Sequence, residues 1–132
     1  INYTGMSGPD YLHKANDFSL SIAMIETREA VAALDAILDV PGIDGILVGP
    51  GDLSIALSQG KILDAESADV TAACTDIVRR TRAKNKIACA FSPTGPRGFA
   101  LAQMGFQIIS LETDFGFVRT GASAALTAAK GG

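Results

Sequence analysis

Ile43-Asp44-Gly45-Ile46-Leu47-Val48-Gly49-Pro50-Gly51-Asp52-Leu53-Ser54 is the most informative run in the chain. An apolar segment rich in β-branched residues breaks off in Gly-Pro-Gly, and an acid follows at once. The pattern predicts a buried parallel strand, a tight turn, and a helix start capped by Asp52. Gly49 and Gly51 carry no Cβ, so the backbone there can approach a ligand closely. The N–H groups around Gly51 and Leu53 then lie at a helix N-terminus, a place that favours an anion. Asp52 adds a fixed negative charge to the same turn. Amide donors for an anion beside a carboxylate point to a metal ion bridging the protein and an acidic ligand.

On the N-terminal side, residues 18–25 (FSLSIAMI) read as a strand ending in Glu26. Thr27 caps a helix in which Ala30, Val31, Leu34, Ile37 and Leu38 recur at helical spacing, and Pro41-Gly42 stops it. Further upstream, Gly5, Ser7, Gly8 and Pro9 read as a loop, and residues 10–16 as one short helix. That helix holds the single histidine, His13, among polar neighbours, which reads as a solvated surface group. The chain opens on Ile1 rather than Met, and on a segment that is not a strand. This is the expectation for a processed chain or a part of a longer one.

On the C-terminal side, a short helix runs through Leu57 and residues 60–64 make a loop. A long helix over about 66–84 places Val70, Ala73, Cys74, Ile77 and Val78 inward and Arg79, Arg80 and Arg82 outward. Residues 86–91 (KIACAF) form a third strand, 92–96 a turn, and 97–104 a helix closed by Gly105. Residues 106–111 (FQIISL) form a fourth strand. A last helix starts at Asp114, which caps it, and frays into an Ala- and Gly-rich end. The order β-α-β-α-β-α-β-α predicts a parallel α/β fold, either doubly wound or part of a (β/α)8 TIM barrel. Four such units cannot close an eight-stranded barrel; in a barrel they are one contiguous half.

The 132 residues are 48% hydrophobic and 19% charged, with a net charge of −3, enough for one domain with a core. There is no basic run, which argues against nucleic acid. No apolar stretch approaches the roughly 20 residues of a membrane-spanning helix, and no secretory leader is visible. Cys74 and Cys89 form no CxxC pair and read as reduced core thiols in a cytoplasmic protein.

Two acids stand at equivalent places: Glu26 ends the first strand and Asp52 follows the second, one βα repeat later. Neighbouring strand ends in a parallel sheet lie roughly 4.8 Å apart, so both carboxylates can reach one ion. Two carboxylates plus ligand oxygens suit Mg2+ or Mn2+. The same two acids also fit a simpler role as helix-start residues, Glu26 near an N-terminus and Asp52 as an N-cap. The Gly-Pro-Gly turn favours the metal, because a plain cap needs no such turn. Asp35, Asp39, Glu66 and Asp69 read as solvated helix-face acids, and Glu112 and Asp114 stand at the end of the fourth strand.

Ile25-Glu26-Thr27-Arg28-Glu29-Ala30, Leu34-Asp35-Ala36-Ile37-Leu38 and the opening run from Asp44 to Ser54 together resemble the HpcH/HpaI aldolase family. The resemblance covers nearly the whole chain, and the pairing of Ile25-Glu26-Thr27 with Gly49-Pro50-Gly51-Asp52-Leu53-Ser54 at this spacing is specific. It implies a class II, metal-dependent pyruvate aldolase of the 4-hydroxy-2-oxoheptanedioate aldolase kind. A lyase of this kind splits a 4-hydroxy-2-oxo acid into pyruvate and an aldehyde. It implies that Glu26 and Asp52 ligate a divalent cation, Mg2+ or Mn2+. It implies that the Gly49-Pro50-Gly51-Asp52 turn binds substrate, with the amides of Gly51 and Asp52 on the carboxylate of pyruvate. Phe91 falls where the family places an apolar residue beside the substrate. Met24 departs from a Gln often found two residues before the metal Glu, and Gly51 replaces the commoner Ala.

The family barrel is about twice this length, since (β/α)8 domains run to about 250 residues. The resemblance places residues 1–132 as a single partial domain, the C-terminal half of that barrel. The family's catalytic histidine and enolate-steadying arginine belong to the other half, so no catalytic residue is assigned in this chain and His13 does not inherit the role. A homo-oligomer is expected. Two other readings stand beside this one. A citryl- or malyl-CoA lyase-like enzyme would need a site for the nucleotide phosphates, and no basic cluster is visible at the strand ends. A non-catalytic half-barrel would serve binding or assembly.

Overall fold

The computed structural model describes residues 5–131; residues 1–4, including the Ile1 opening, and Gly132 at the Gly-rich end lie outside the described residues. The chain begins with α1 (Gly8–Lys14) and a 3-10 turn (Ala15–Asp17). Four βα units follow. They are β1 (Ile22–Ile25) with α2 (Arg28–Ala32) and α3 (Leu34–Leu38), then β2 (Gly45–Val48) with α4 (Pro50–Leu57) and α5 (Ala68–Ala83). Next come β3 (Ile87–Ser92) with α6 (Gly95–Gln103), and β4 (Ile108–Leu111) with α7 (Asp114–Ala129). All neighbouring strands are parallel and the sheet order is β1-β2-β3-β4, the sequential order of half a (β/α)8 barrel. No helix among the described residues is long and apolar enough to cross a membrane.

Strand alternation splits the sheet into two unequal faces. Ile25, Ile46, Val48, Ala88 and Ala90 point one way and pack into a core with Leu34, Leu38, Leu53, Val70, Cys74, Ile77, Val78 and Leu101 from the helices. Each fully buried Leu, Ile or Val there contributes about 1.5–3 kcal/mol. The alternate positions Met24, Leu47, Cys89 and Ile108 share one row across the sheet. Met24 at one edge is 55% exposed and Ile108 at the other is 46% exposed. The strands are apolar on both faces, yet the described helices cover one. Gly45 lets β2 and β3 lie close, since a Cβ on it would run into the Ile87 carbonyl. Cys74 and Cys89 are buried free thiols, as expected, and burial pushes the Cys74 thiol up to about 11.

Several boundaries differ from the sequence reading. The first strand starts at Ile22, not at residue 18. Phe18 ends the 3-10 turn, the Ser19 hydroxyl bonds the Ala15 carbonyl, and the Ser21 N–H goes to the Asp44 carboxylate at 2.8 Å. The helix after Thr27 breaks at Ala33 into α2 and α3. The fourth strand starts at Ile108, not at residue 106. The predicted cap at Asp114 is instead Thr113, whose hydroxyl accepts the Gly116 N–H at 3.0 Å; Asp114 is the first helical residue.

Arg80, expected to point outward, is tucked against α3. It pairs with Asp35 at 2.9 Å and Asp76 at 3.3 Å, and Lys84 pairs with Asp39 at 2.5 Å. Asp35 and Asp39 therefore tie α3 to α5 rather than standing alone in water. The hydrogen bond from Arg80 holds the Asp35 carboxyl below its ordinary 3.8, and Arg79 does the same for Asp76. A lowered carboxyl contributes stability above its unfolded pKa, and that stability is lost as the pH falls through the folded value. Asp35→Asn should lower the melting temperature at about pH 7, and the gap to the unaltered protein should close at about pH 2. A gap of equal size at both pH values would remove the ion pair as the cause.

Both outer strands, β1 and β4, leave one edge without a partner strand among the described residues. Apolar groups accompany those edges: Met24, Ile108 and Leu111, with Phe115, Phe117 and Val118 exposed on α7. Such edges pair with other chains unless charges or bulges blunt them. The purified 132-residue chain should self-associate at micromolar concentration in sedimentation velocity. A folded, well-behaved monomer would contradict this.

Candidate active site

The C-terminal ends of the strands open into a cleft of about 640 Å3. The register sets its centre. Ile25 pairs with Val48, so the next residues, Glu26 and Gly49, stand side by side at the top of β1 and β2. Glu26 is half-buried there. A Cβ on Gly49 would lie 2.9 Å from Glu26 Oε2 and 3.9 Å from Asp52 Oδ2. Both carboxylates therefore reach the same small space, and it exists because residue 49 is glycine.

The turn after β2 differs in one respect from its sequence reading. Asp52 does not cap α4. Gly49 is the N-cap, Pro50 and Gly51 are the first two helical residues, and Asp52 is the third, with no side-chain cap bond. Pro50 has no N–H, which is tolerated at this position. The Leu53 N–H bonds back to the Gly49 carbonyl at 2.9 Å, so it is not available to a ligand. The free first-turn donors are the amides of Gly51 and Asp52. The Asp52 carboxylate, released from capping, is exposed in the cleft.

Met24, Glu26, Gly49, Pro50, Gly51, Asp52 and Phe91 all line this one cleft, so the structure brings together every site residue read from the sequence. His13 sits exposed on α1, away from it. Glu112 faces the start of α7, where its carboxylate accepts the Thr113 N–H at 2.9 Å. The sequence reading missed Leu63, Asp64 and Ala65 from the segment between α4 and α5, and also Arg97 and Ser110. Arg97, on α6, is a single arginine in the cleft, beside strand ends where the sequence shows no basic cluster. One signal could have found it: Arg97 is the third residue of α6, as Asp52 is of α4, and both helices open on a Gly/Pro pair.

Among the described residues no cluster of three or more His, Cys, Asp and Glu forms a ready-made metal cage. The donor set that is present still fits a hard divalent cation. It is two carboxylates over a space that a Cβ would fill, with the other ligands left to an acidic substrate and water.

Residues 5–119 match the family model described as HpcH/HpaI aldolase/citrate lyase. The chain belongs to that family. The hydroxypyruvate/pyruvate aldolase of Rhizorhabdus wittichii is 37% identical over 117 residues, covering 87% of this chain and 46% of that protein. The 4-hydroxy-2-oxo-heptane-1,7-dioate aldolase of Salmonella paratyphi C is 35% identical over 116 residues, covering 88% and 43%. In fold, the chain superposes on an HpcH/HpaI aldolase/citrate lyase family protein from Burkholderia cenocepacia. The TM-score is 0.80 at 24% identity, over 92% of this chain and 46% of that one. The chain thus spans about half the length of the curated relatives it matches.

The geometry gives a direct test of the shared space above Gly49. Gly49 has φ −97°, which alanine adopts freely, so Gly49→Ala should fold. Its new Cβ would displace the Glu26 carboxylate. A ligand that binds only the folded state raises stability by about 2.7 kcal/mol at a hundred times its Kd. Mg2+ or Mn2+ should therefore raise the melting temperature of the unaltered protein, and most of that rise should vanish in Gly49→Ala and in Asp52→Asn. An undiminished rise in both variants would place the ion elsewhere.

Proposed function

We propose that this family member provides the metal- and pyruvate-binding half of a metal-dependent aldolase. The reaction is reversible cleavage of a 4-hydroxy-2-oxo acid into pyruvate and an aldehyde. The observation that carries the reading is the convergence of Glu26 and Asp52 on the space above Gly49, beside the free amides of Gly51 and Asp52. The relatives' names, which include pyruvate and 4-hydroxy-2-oxo acid aldolases, support it.

When bound, a divalent cation supplies a Lewis acid that offsets the negative charge growing on the 2-oxo group as the carbon–carbon bond breaks. Glu26 and Asp52 hold it. The Gly51 and Asp52 amides orient the substrate carboxylate at the α4 N-terminus, where the helix dipole favours an anion. Leu47, Phe91 and Met24 give the cleft apolar walls that limit water around the reacting carbon. Cleavage also needs a base for the 4-hydroxyl proton. We assign that base, from the family resemblance, to the other half of the barrel.

The full-length protein should release pyruvate from a 4-hydroxy-2-oxo acid in the presence of Mg2+ or Mn2+, and chelation should abolish the release. The isolated 132-residue chain should be slower by about 10²–10⁴-fold, the usual contribution of a general base. Pyruvate release insensitive to chelation, or full turnover by the isolated chain, would overturn the assignment.

A further inference from the structure

Arg97 lines the cleft but has no part in the chemistry above. Only 13% of its side chain is exposed. Its Nη2 donates to the Ala65 carbonyl at 3.1 Å. Its Nε is buried without a hydrogen bond and faces Glu66 Oε1 at 3.8 Å. A nearly buried cation on α6 is thus directed at the backbone of the segment joining α4 to α5. Leu63, Asp64 and Ala65 of that segment form one wall of the cleft.

The same wall is held from the other side by α4. The Ser54 hydroxyl accepts the Asp64 N–H at 3.1 Å and donates to the Gly51 carbonyl at 2.6 Å. Ser54 is buried, so this link between wall and turn is shielded from water. Leu63 then leans over the turn: its Cδ1 lies 3.8 Å from where a Cβ of Gly51 would be, while the side chain as a whole is largely exposed. The leucine thus rests on the glycine whose amide is free for an anion, in the position of a ligand-facing wall.

We infer that Arg97 is a positioning residue. It fixes residues 63–65 so that Leu63 makes an apolar cover beside the Gly51 and Asp52 amides, which selects a small acid whose carbon body packs against that leucine. Ordering a loose wall on binding costs affinity, and a wall already ordered by Arg97 and Ser54 avoids that cost. The ligand side of this inference rests on the aldolase reading; the hold of Arg97 on the wall does not.

The test compares Arg97→Met, which keeps the stem and removes the donors, with Arg97→Lys, which keeps a donor, in the full-length protein. Two readouts are taken: amide hydrogen exchange along the chain, and pyruvate binding with Mg2+ together with KM and kcat for condensation. In Arg97→Met, exchange should quicken about tenfold over residues 62–66 with the strands unchanged. The Kd and KM for pyruvate should rise about tenfold, the loss expected for a hydrogen bond from a charged group, with kcat nearly unaltered. Arg97→Lys should recover most of both. Leu63→Ala should raise the pyruvate Kd without quickening exchange. Exchange over 62–66 unchanged in Arg97→Met would overturn the hold on the wall. Faster exchange with unchanged pyruvate affinity would overturn the selectivity. A fall in kcat alone would make Arg97 a participant in the chemistry, against the inference. If the protein proves to bind no pyruvate, the aldolase reading fails while the exchange result still decides the contact.

Discussion

The site depends on one register. Because Ile25 lies opposite Val48, the residue that ends β1 meets the residue that ends β2. The first is Glu26 and the second is Gly49, and the carboxylate of one occupies what would be the side-chain space of the other. Parallel pairing with a period of two makes this an all-or-nothing matter. A slip of one residue would send Glu26 towards the helices and Met24 out of the cleft. The buried row Ile25, Val48 and Ala90 guards against such a slip, since a slip of β1 would take Ile25 out of that row and onto the uncovered face. The hydrophobic core therefore fixes the position of a polar pair that contributes nothing to that core.

The helix starts show a division of labour between hydroxyls and acids. Thr27, Ser67, Thr94 and Thr113 each cap a helix through the side-chain oxygen. The helix after β2 is the exception among those following a strand, because its cap is glycine. A hydroxyl or carboxylate cap there would satisfy the same amides that an anion needs. Leaving the cap to Gly49 keeps the Gly51 and Asp52 donors free and frees the Asp52 carboxylate for other work. That choice costs α4 only about a few tenths of a kcal/mol of capping, and the helix gains stability by burying Pro50, Leu53 and Ser54.

Much of this was legible in the sequence, and the reason is local. Apolar runs ending in Gly, Pro or an acid mark strand ends, and the cleft residues lie at strand ends, so locating those ends at Ile25 and Val48 was enough to bring Glu26, Gly49 and Asp52 together. Strand starts were less legible. Phe18, Leu20 and Phe106 are apolar and extend the apparent runs, but Phe18 and Leu20 are exposed and hydrogen bonding to Asp44 replaces the ladder there. Asp52 was misread as a cap because Asp is a good N-cap by type, while the true cap, Gly49, is betrayed only by the position of Pro50. The partners of Arg80 and Arg97 were beyond local reading, although the Gly-Pro before Arg97 marks its place at a helix start. Each arginine reaches a partner far away in the chain, Asp35 for one and the Ala65 carbonyl for the other, and no periodicity announces such a pairing.

The two faces of the sheet divide stability from chemistry. The helix-side face is filled, and its residues are those that a parallel sheet must bury to fold at all. The opposite face carries Met24, Leu47 and Phe91, all of them cleft residues, and at the edges it is partly open. In a closed barrel such a face is packed by side chains from the remaining strands. The apolar character of Met24 and Ile108 is therefore not a surface property of these βα units but a demand for further strands beside β1 and β4. The cleft inherits that demand: Glu26 and Asp52 already stand on filled helix-side packing, while the apolar walls around the reacting carbon are complete only when the inner face is. Under the proposed aldolase reading, metal and carboxylate binding would thus be properties of these residues alone, whereas exclusion of water from the reacting carbon would belong to the closed barrel.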